Sequence, residues 1–180
     1  MQNNIALAFD TETTGLISNR TVPLDKQPEI IEFYGCLFNL ETGEVLKEFE
    51  CLIKPTNPVD DEITSITGIT NEMLKDCKSF KDYAPILKTL LQNAPLLIAH
   101  NLSFDQEMLE IEFERLGEKI NFGKRLCTVE ATAYLKGFRF KLSDLYEYLF
   151  GERFIGAHRA KHDVMALVKC CCELRKRGVI

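Results

Sequence analysis

A buried strand that ends in two acids is the strongest constraint in this chain. Ile5-Ala6-Leu7-Ala8-Phe9 is an unbroken apolar run, and it stops at Asp10-Thr11-Glu12, followed by Thr13-Thr14-Gly15. Side chains alternate faces along a strand, so residues two apart project the same way. The run predicts a strand over about residues 4–10, with Asp10 and Glu12 side by side at its end. Adjacent carboxylates repel unless a cation sits between them, and hard oxygen donors suit Mg²⁺ or Mn²⁺. A lone Asp-x-Glu by itself is more often a strand end carrying solvated acids, so other residues have to decide between the two.

Downstream, a polar loop with Pro23 and Pro28 leads to a strand predicted over Ile30 to Leu40, a turn at Glu41-Thr42-Gly43-Glu44, and a strand from Leu46 to Ile53. The pattern then becomes helical over roughly Asp60–Ile66, Asn71–Lys75 and Phe80–Gln92, followed by a short strand at Leu96–Ala99. Ser103 and Gln106 fit a capping box opening a helix that runs to about Leu116. A short strand near Leu126, helices around Val129–Leu135 and Leu142–Leu149, and a last helix from about Lys161 complete the pattern. That last helix turns Val164, Leu167, Val168, Cys171 and Leu174 inward. Three antiparallel strands first, then strands alternating with helices, predict an α/β fold: a mixed central sheet flanked by helices.

A chain of 180 residues, 46% hydrophobic and 27% charged, has the size and composition of one globular domain, here expected to span residues 1–180. Asp10 and Glu12 interrupt the N-terminal apolar run too early for a signal peptide, and no segment reaches the length of a membrane span. Seven cysteines, an odd number without Cys-x-x-Cys spacing, read as reduced thiols in a cytoplasmic protein with no membrane partner. The run Cys170-Cys171-Cys172 lies in a helical pattern and reads as packing. The net charge of −5 is awkward for a nucleic-acid partner, but between Lys124 and Lys161 eight basic residues face four acids.

Two further acids and a histidine extend the opening pair. Asp105, in Ala99-His100-Asn101-Leu102-Ser103-Phe104-Asp105, falls in the first turn of a helix following a strand, where the helix dipole favours an acid. Asp163 lies near the start of the last helix, at the inward edge of its apolar face, and His158 lies five residues earlier on the loop entering it. His162, adjacent to Asp163, points about 100° away if helical and ranks behind His158, with His100 a further competitor.

In that order, FDTETTG, AHNLSFD and HRAKHD resemble the DEDDh class of 3′–5′ exonucleases on the RNase H-like fold, from Ala8 to about Leu174. The resemblance implies that Asp10, Glu12, Asp105 and Asp163 bind two ions, Mg²⁺ or Mn²⁺. Asp10, Glu12 and Asp163 would hold one, Asp10 and Asp105 the other. His158, fitting the class's His-x-x-x-x-Asp pattern, would be the general base. It further implies that Thr13, Leu16, Gly68, Ile69, Asn101 and Phe104 contact the terminal nucleotide, with Gly68-Ile69 in a Gly-Ile-Thr turn. The substrate would be the 3′ end of single-stranded DNA or RNA, and the product a nucleoside 5′-monophosphate. Two other readings are a proofreading subunit held by a polymerase and a non-catalytic nucleic-acid-binding module. The chain ends at Ile180 without a polymerase-binding tail, which favours a stand-alone nuclease or an excised domain.

Overall fold

The structure, a computed structural model, describes residues 4–19, 21–154 and 159–180. A five-stranded sheet in the order β3-β2-β1-β4-β5 forms its centre. Strands β1 (Ile5–Thr13), β2 (Ile30–Asn39) and β3 (Val45–Leu52) are antiparallel, whereas β4 (Leu97–Ala99) and β5 (Arg125–Cys127) continue the sheet in parallel with β1. Helices α1 (Asp61–Thr67), α2 (Asn71–Leu74), α3 (Phe80–Asn93), α4 (Leu102–Arg115), α5 (Thr128–Lys136), α6 (Leu142–Phe150) and α7 (Ala160–Lys176) complete the α/β arrangement expected from the sequence.

Alternation along β1 divides the core. Leu7 and Phe9 pack with Leu87 and Leu91 of α3 and with Met108 and Leu109 of α4. Ala6 and Ala8 face the other way, and their small side chains let α7 lie close through Val164, Leu167 and Val168. Helix α7 is gripped from two sides, since Cys171 and Cys172 belong to the sheet-facing cluster while Ala166, Cys170 and Leu174 pack with Leu145 and Leu149 of α6. All seven cysteines are free, and the 170–172 run is buried packing, as the sequence indicates. Edge strand β3 points Lys47, Glu48 and Glu50 outward, charges of the kind that discourage edge-to-edge pairing.

Two local expectations need correction. β1 continues three residues past its expected end at Asp10, because its ladder with β2 goes on through Thr11↔Phe33 and Glu12↔Glu32 before a bulge at Glu12/Thr13. Helix α4 begins at Leu102 rather than after Ser103. Its N-cap is Asn101, the lone non-glycine among the described residues with positive φ (66°), so no Ser103–Gln106 capping box forms. Gln106 bonds Glu110 and Arg125 instead. The capping box occurs at α3, where Ser79 and Asp82 bond reciprocally.

Candidate active site

Three elements converge on one end of the sheet. β1 carries Asp10 and Glu12 on the face covered by α7, and the first turn of α7 brings Asp163 over them. One carboxylate oxygen from each of Asp10, Glu12 and Asp163 lies within 4.8 Å of the other two. Asp105 comes from the opposite side, on α4, which follows β4, the parallel neighbour of β1. Its carboxylate is 3% exposed, and Oδ1 accepts both the Thr11 N–H (3.0 Å) and the Thr11 hydroxyl (2.8 Å). Thr11 stands between the two strand acids and faces α4 by alternation, so it fixes Asp105 with Oδ2 left for other partners.

The cluster is electrostatically frustrated without a cation. Burial, then Asp105, Glu12, Asp163 and Glu32 in turn, raise the Asp10 pKa well above the ordinary carboxylate value. Burial and the neighbouring acids push Glu12 up to about 8, with Arg159 opposing them. Burial lifts Asp105 to about 7 against the two Thr11 hydrogen bonds, which favour its charged form. Crowded hard-oxygen donors that resist ionising together fit a divalent cation. Asp10, Glu12 and Asp163 are the residues placed to hold one, with Asp105 adjacent.

The sign of these shifts gives a testable pH dependence. A carboxyl whose folded pKa is raised contributes stability below its ordinary pKa of about 4 and loses it as pH rises through the folded value. The metal-free protein should therefore lose about 2 kcal/mol, or roughly 4–8 °C in melting temperature, between pH 5 and 8.5. Melting followed by circular dichroism in EDTA would show this, and millimolar Mn²⁺ should restore the loss at pH 8.5 far more than at pH 5. A flat or rising profile in EDTA would overturn the electrostatic account.

Sequence reasoning overlooked Glu32 and Arg159. Glu32, 1% exposed, pairs directly with Glu12 across β1–β2, where like charges destabilise a sheet. Arg159 answers it with Nη2 at 2.7 Å from Oε1 and Nε at 3.2 Å from both oxygens, and the Ala160 N–H donates to Oε2 at 2.9 Å. Glu32 thus anchors the start of α7, three residues before Asp163. The available signal was a single charge inside the apolar run Ile30-Ile31-Glu32-Phe33-Tyr34.

Of the expected base candidates, His158 lies outside the described residues. His162 is exposed. His100 is a structural tether. Its Nε2 is 3.0 Å from the Phe140 carbonyl, which only accepts, so Nε2 carries the proton and Nδ1 accepts the Thr128 hydroxyl at 2.9 Å. Burial pulls its pKa down to about 4, which keeps the ring neutral at physiological pH.

The expected nucleotide contacts separate into two groups. Leu16, 84% exposed, lines a depression of about 500 Å³ with Asn101 and Phe104. Thr13 is nearly buried, and its hydroxyl donates to the Gly15 carbonyl. Ile69 is different: its side chain packs with Ile31, Val59 and Leu74, its N–H donates to the Thr67 hydroxyl, and its carbonyl accepts from Thr64. Gly68 caps α1 at φ 72°. The Gly68-Ile69 turn is built into a satellite core, and neither residue lines the depression that holds Leu16.

The chain matches the exonuclease family designated RNase_T over residues 7–171. It is 32% identical over 158 residues to the DNA polymerase III subunit epsilon of Buchnera aphidicola subsp. Schizaphis graminum, covering 87% of this chain and 66% of that protein. Over 179 residues it is 30% identical to the DNA polymerase III PolC-type of Caldanaerobacter subterraneus subsp. tengcongensis, covering 96% of this chain and 12% of that one. The chain thus spans just under two thirds of the first relative and about an eighth of the second. Among solved structures, the nuclease domain of 3′hExo, a DEDDh family member bound to rAMP, has a TM-score of 0.78 at 20% identity, covering 97% of this chain and 93% of that one, and so shares the fold. Because the family model matches residues 7–171, nearly the whole chain, the chain belongs to the RNase_T exonuclease family on an RNase H-like fold.

Proposed function

We propose that the protein is a 3′–5′ exonuclease that depends on two divalent ions, Mg²⁺ or Mn²⁺, and releases nucleoside 5′-monophosphates from single-stranded DNA or RNA. The observation that carries this reading is the meeting of Asp10, Glu12 and Asp163 oxygens within 4.8 Å, in surroundings that raise the pKa of both strand acids. Asp10, Glu12 and Asp163 would hold one ion, Asp10 and Asp105 the other. When bound, the ions would supply a water activated at neutral pH and charge stabilisation at the leaving 3′ oxygen. The residues do the rest. Thr11 orients Asp105, and Glu32 with Arg159 sets the start of α7 and hence Asp163. His158, five residues before Asp163, takes the proton of the attacking water. Leu16 and Phe104 bracket the terminal base without reading its edges, which gives sequence tolerance.

Residues 1–180 are proposed to act as one nuclease domain, located in the cytoplasm, where the seven free thiols stay reduced. No helix among the described residues is long and apolar enough to cross a membrane. The relatives' names favour a second reading, in which the domain proofreads for a DNA polymerase catalytic subunit; co-purification with such a subunit would support it.

The direct test offers the purified protein 5′-fluorescein-labelled dT20 and rU20 with Mn²⁺. The expected result is a ladder shortening one nucleotide at a time from the 3′ end, abolished by EDTA, with the faster of the two arms identifying the preferred strand. No shortening of either oligonucleotide would overturn the proposal.

A further inference from the structure

We propose that a groove running from Asp163 to the start of α6 carries the strand 5′ of the bond being cut, with Arg139 and Lys141 holding its phosphates. This rests on the exonuclease reading and adds to it a strand path and a minimum substrate length. The groove has a volume of about 580 Å³, and its lining includes His100, Asn101, Arg139, Lys141, Phe154 and Asp163. It adjoins the depression of Leu16 and Phe104 at Asn101, which lines both. A strand whose 3′ nucleoside sits by Leu16 and Phe104 would leave over Asp163 and enter this groove.

Of the eight basic residues between Lys124 and Lys161, two, Arg139 and Lys141, both lack an acidic partner among the described residues and line the groove. Arg153 is paired with Glu147, Arg159 with Glu32, and Lys161 with Glu48 and Glu50. Arg125 bonds Gln106, and Lys136 lies over the Tyr148 ring. Three of the eight are therefore neutralised by acids, two of them by acids of β2 and β3, while Lys124, Arg125 and Lys136 have no ion pair among the described residues and lie outside the groove lining. Among the described residues Arg139 bonds only the neutral amide of Asn101, and neither it nor Lys141 has an ion pair. Both line the groove.

Their placement is fixed from beneath. Phe140, between them, is buried. Its carbonyl is held by His100, and its ring packs against Phe138 and Tyr148. The flanking residues are thereby held exposed on a rigid loop, in a protein whose net charge of −5 otherwise opposes a polyanion. Unneutralised Arg and Lys beside an acidic site recognise phosphates rather than bases, so binding through them should be salt-dependent and insensitive to sequence.

The experiment compares the wild type with Arg139→Ala/Lys141→Ala, and with Lys141→Glu as a single change that leaves the Arg139–Asn101 bond in place. Activity is measured on the p-nitrophenyl ester of thymidine 5′-monophosphate and on dT2, dT3 and dT4. Affinity for fluorescein-dT12 is measured by anisotropy in EDTA across a salt series. The ratio of dT4 to ester activity is expected to fall at least 10-fold in the double variant, and the slope of log affinity against log salt to become shallower by about 1.4. An unchanged ratio and slope would overturn the groove while leaving the nuclease reading in place. An equal loss on ester and dT4 would also overturn it, since the residues would then serve the reacting centre or the fold. If the wild type turns over no substrate, the nuclease reading fails, and an unchanged anisotropy slope would still overturn the groove on its own.

Discussion

Replacing Asp10 by asparagine is expected to lower exonuclease activity at least ~10³-fold while making the metal-free protein more stable at pH 8. The two effects have one cause. Asp10 is half-buried among Glu12, Asp105, Asp163 and Glu32, all of which disfavour its charge. An amide of the same shape removes one charge from the crowd, so Glu12 and Asp105 ionise at less cost. On the proposed reading, Asp10 is also the ligand common to both ions, and an amide oxygen is a poor substitute for a shared carboxylate. Melting in EDTA at pH 8 should rise by a few degrees, the gain should vanish at pH 5, and stabilisation by Mn²⁺ should be mostly lost. A variant that kept more than about a tenth of wild-type turnover would remove Asp10 from the chemistry. One that was destabilised at pH 8 in EDTA would contradict the frustrated cluster.

How much of this site the sequence displays follows from how local each signal is. The side-by-side placement of Asp10 and Glu12 depends only on strand alternation, and it survives the extension of β1 to Thr13. The mixed sheet and its flanking helices were likewise legible from short-range patterns. Features that depend on long-range pairing were not. Thr11 reads as a spacer until α4 is placed against its face of the sheet. Glu32 reads as a strand irregularity until β2 aligns it with Glu12 and α7 supplies Arg159. The basic excess between Lys124 and Lys161 was a correct count, but the acids that pair with Arg159 and Lys161 lie up to 127 residues earlier in the chain. Asn101 misled for a different reason. Asparagine tolerates the left-handed region, so the chain could turn there and begin the helix two residues ahead of the position that a capping box at Ser103 implies.

The Glu32–Arg159 pair gives the largest stability effect expected in this molecule. Arg159→Met should lower the melting temperature by about 4–12 °C, corresponding to about 2–3 kcal/mol, because Glu32 is buried but the Arg159 side chain is 36% exposed and solvent screens part of the cost of breaking a wholly buried pair. Glu32 is almost wholly inaccessible to solvent. Three of its four described hydrogen bonds come from the guanidinium, and only the Ala160 N–H would remain. Its carboxylate would then face Glu12 across the sheet with Asp10 and Asp163 close by, a set of like charges that Arg159 now offsets. Methionine retains much of the arginine's apolar stem, so the loss would reflect the uncompensated charge more than a cavity. A second change separates these causes. Glu32→Gln in the Arg159→Met background removes the buried charge while keeping the side chain's length, and it should recover most of the lost stability. The recovered protein would still lack the clamp that sets the first turn of α7, so its affinity for Mn²⁺, read from the free-ion signal in electron paramagnetic resonance, should stay at least 10-fold weaker than wild type. An Arg159→Met protein melting within about 2 °C of wild type would show that Glu32 needs no such partner. Full recovery of Mn²⁺ affinity in the double variant would show that the clamp serves the fold and not the placement of Asp163.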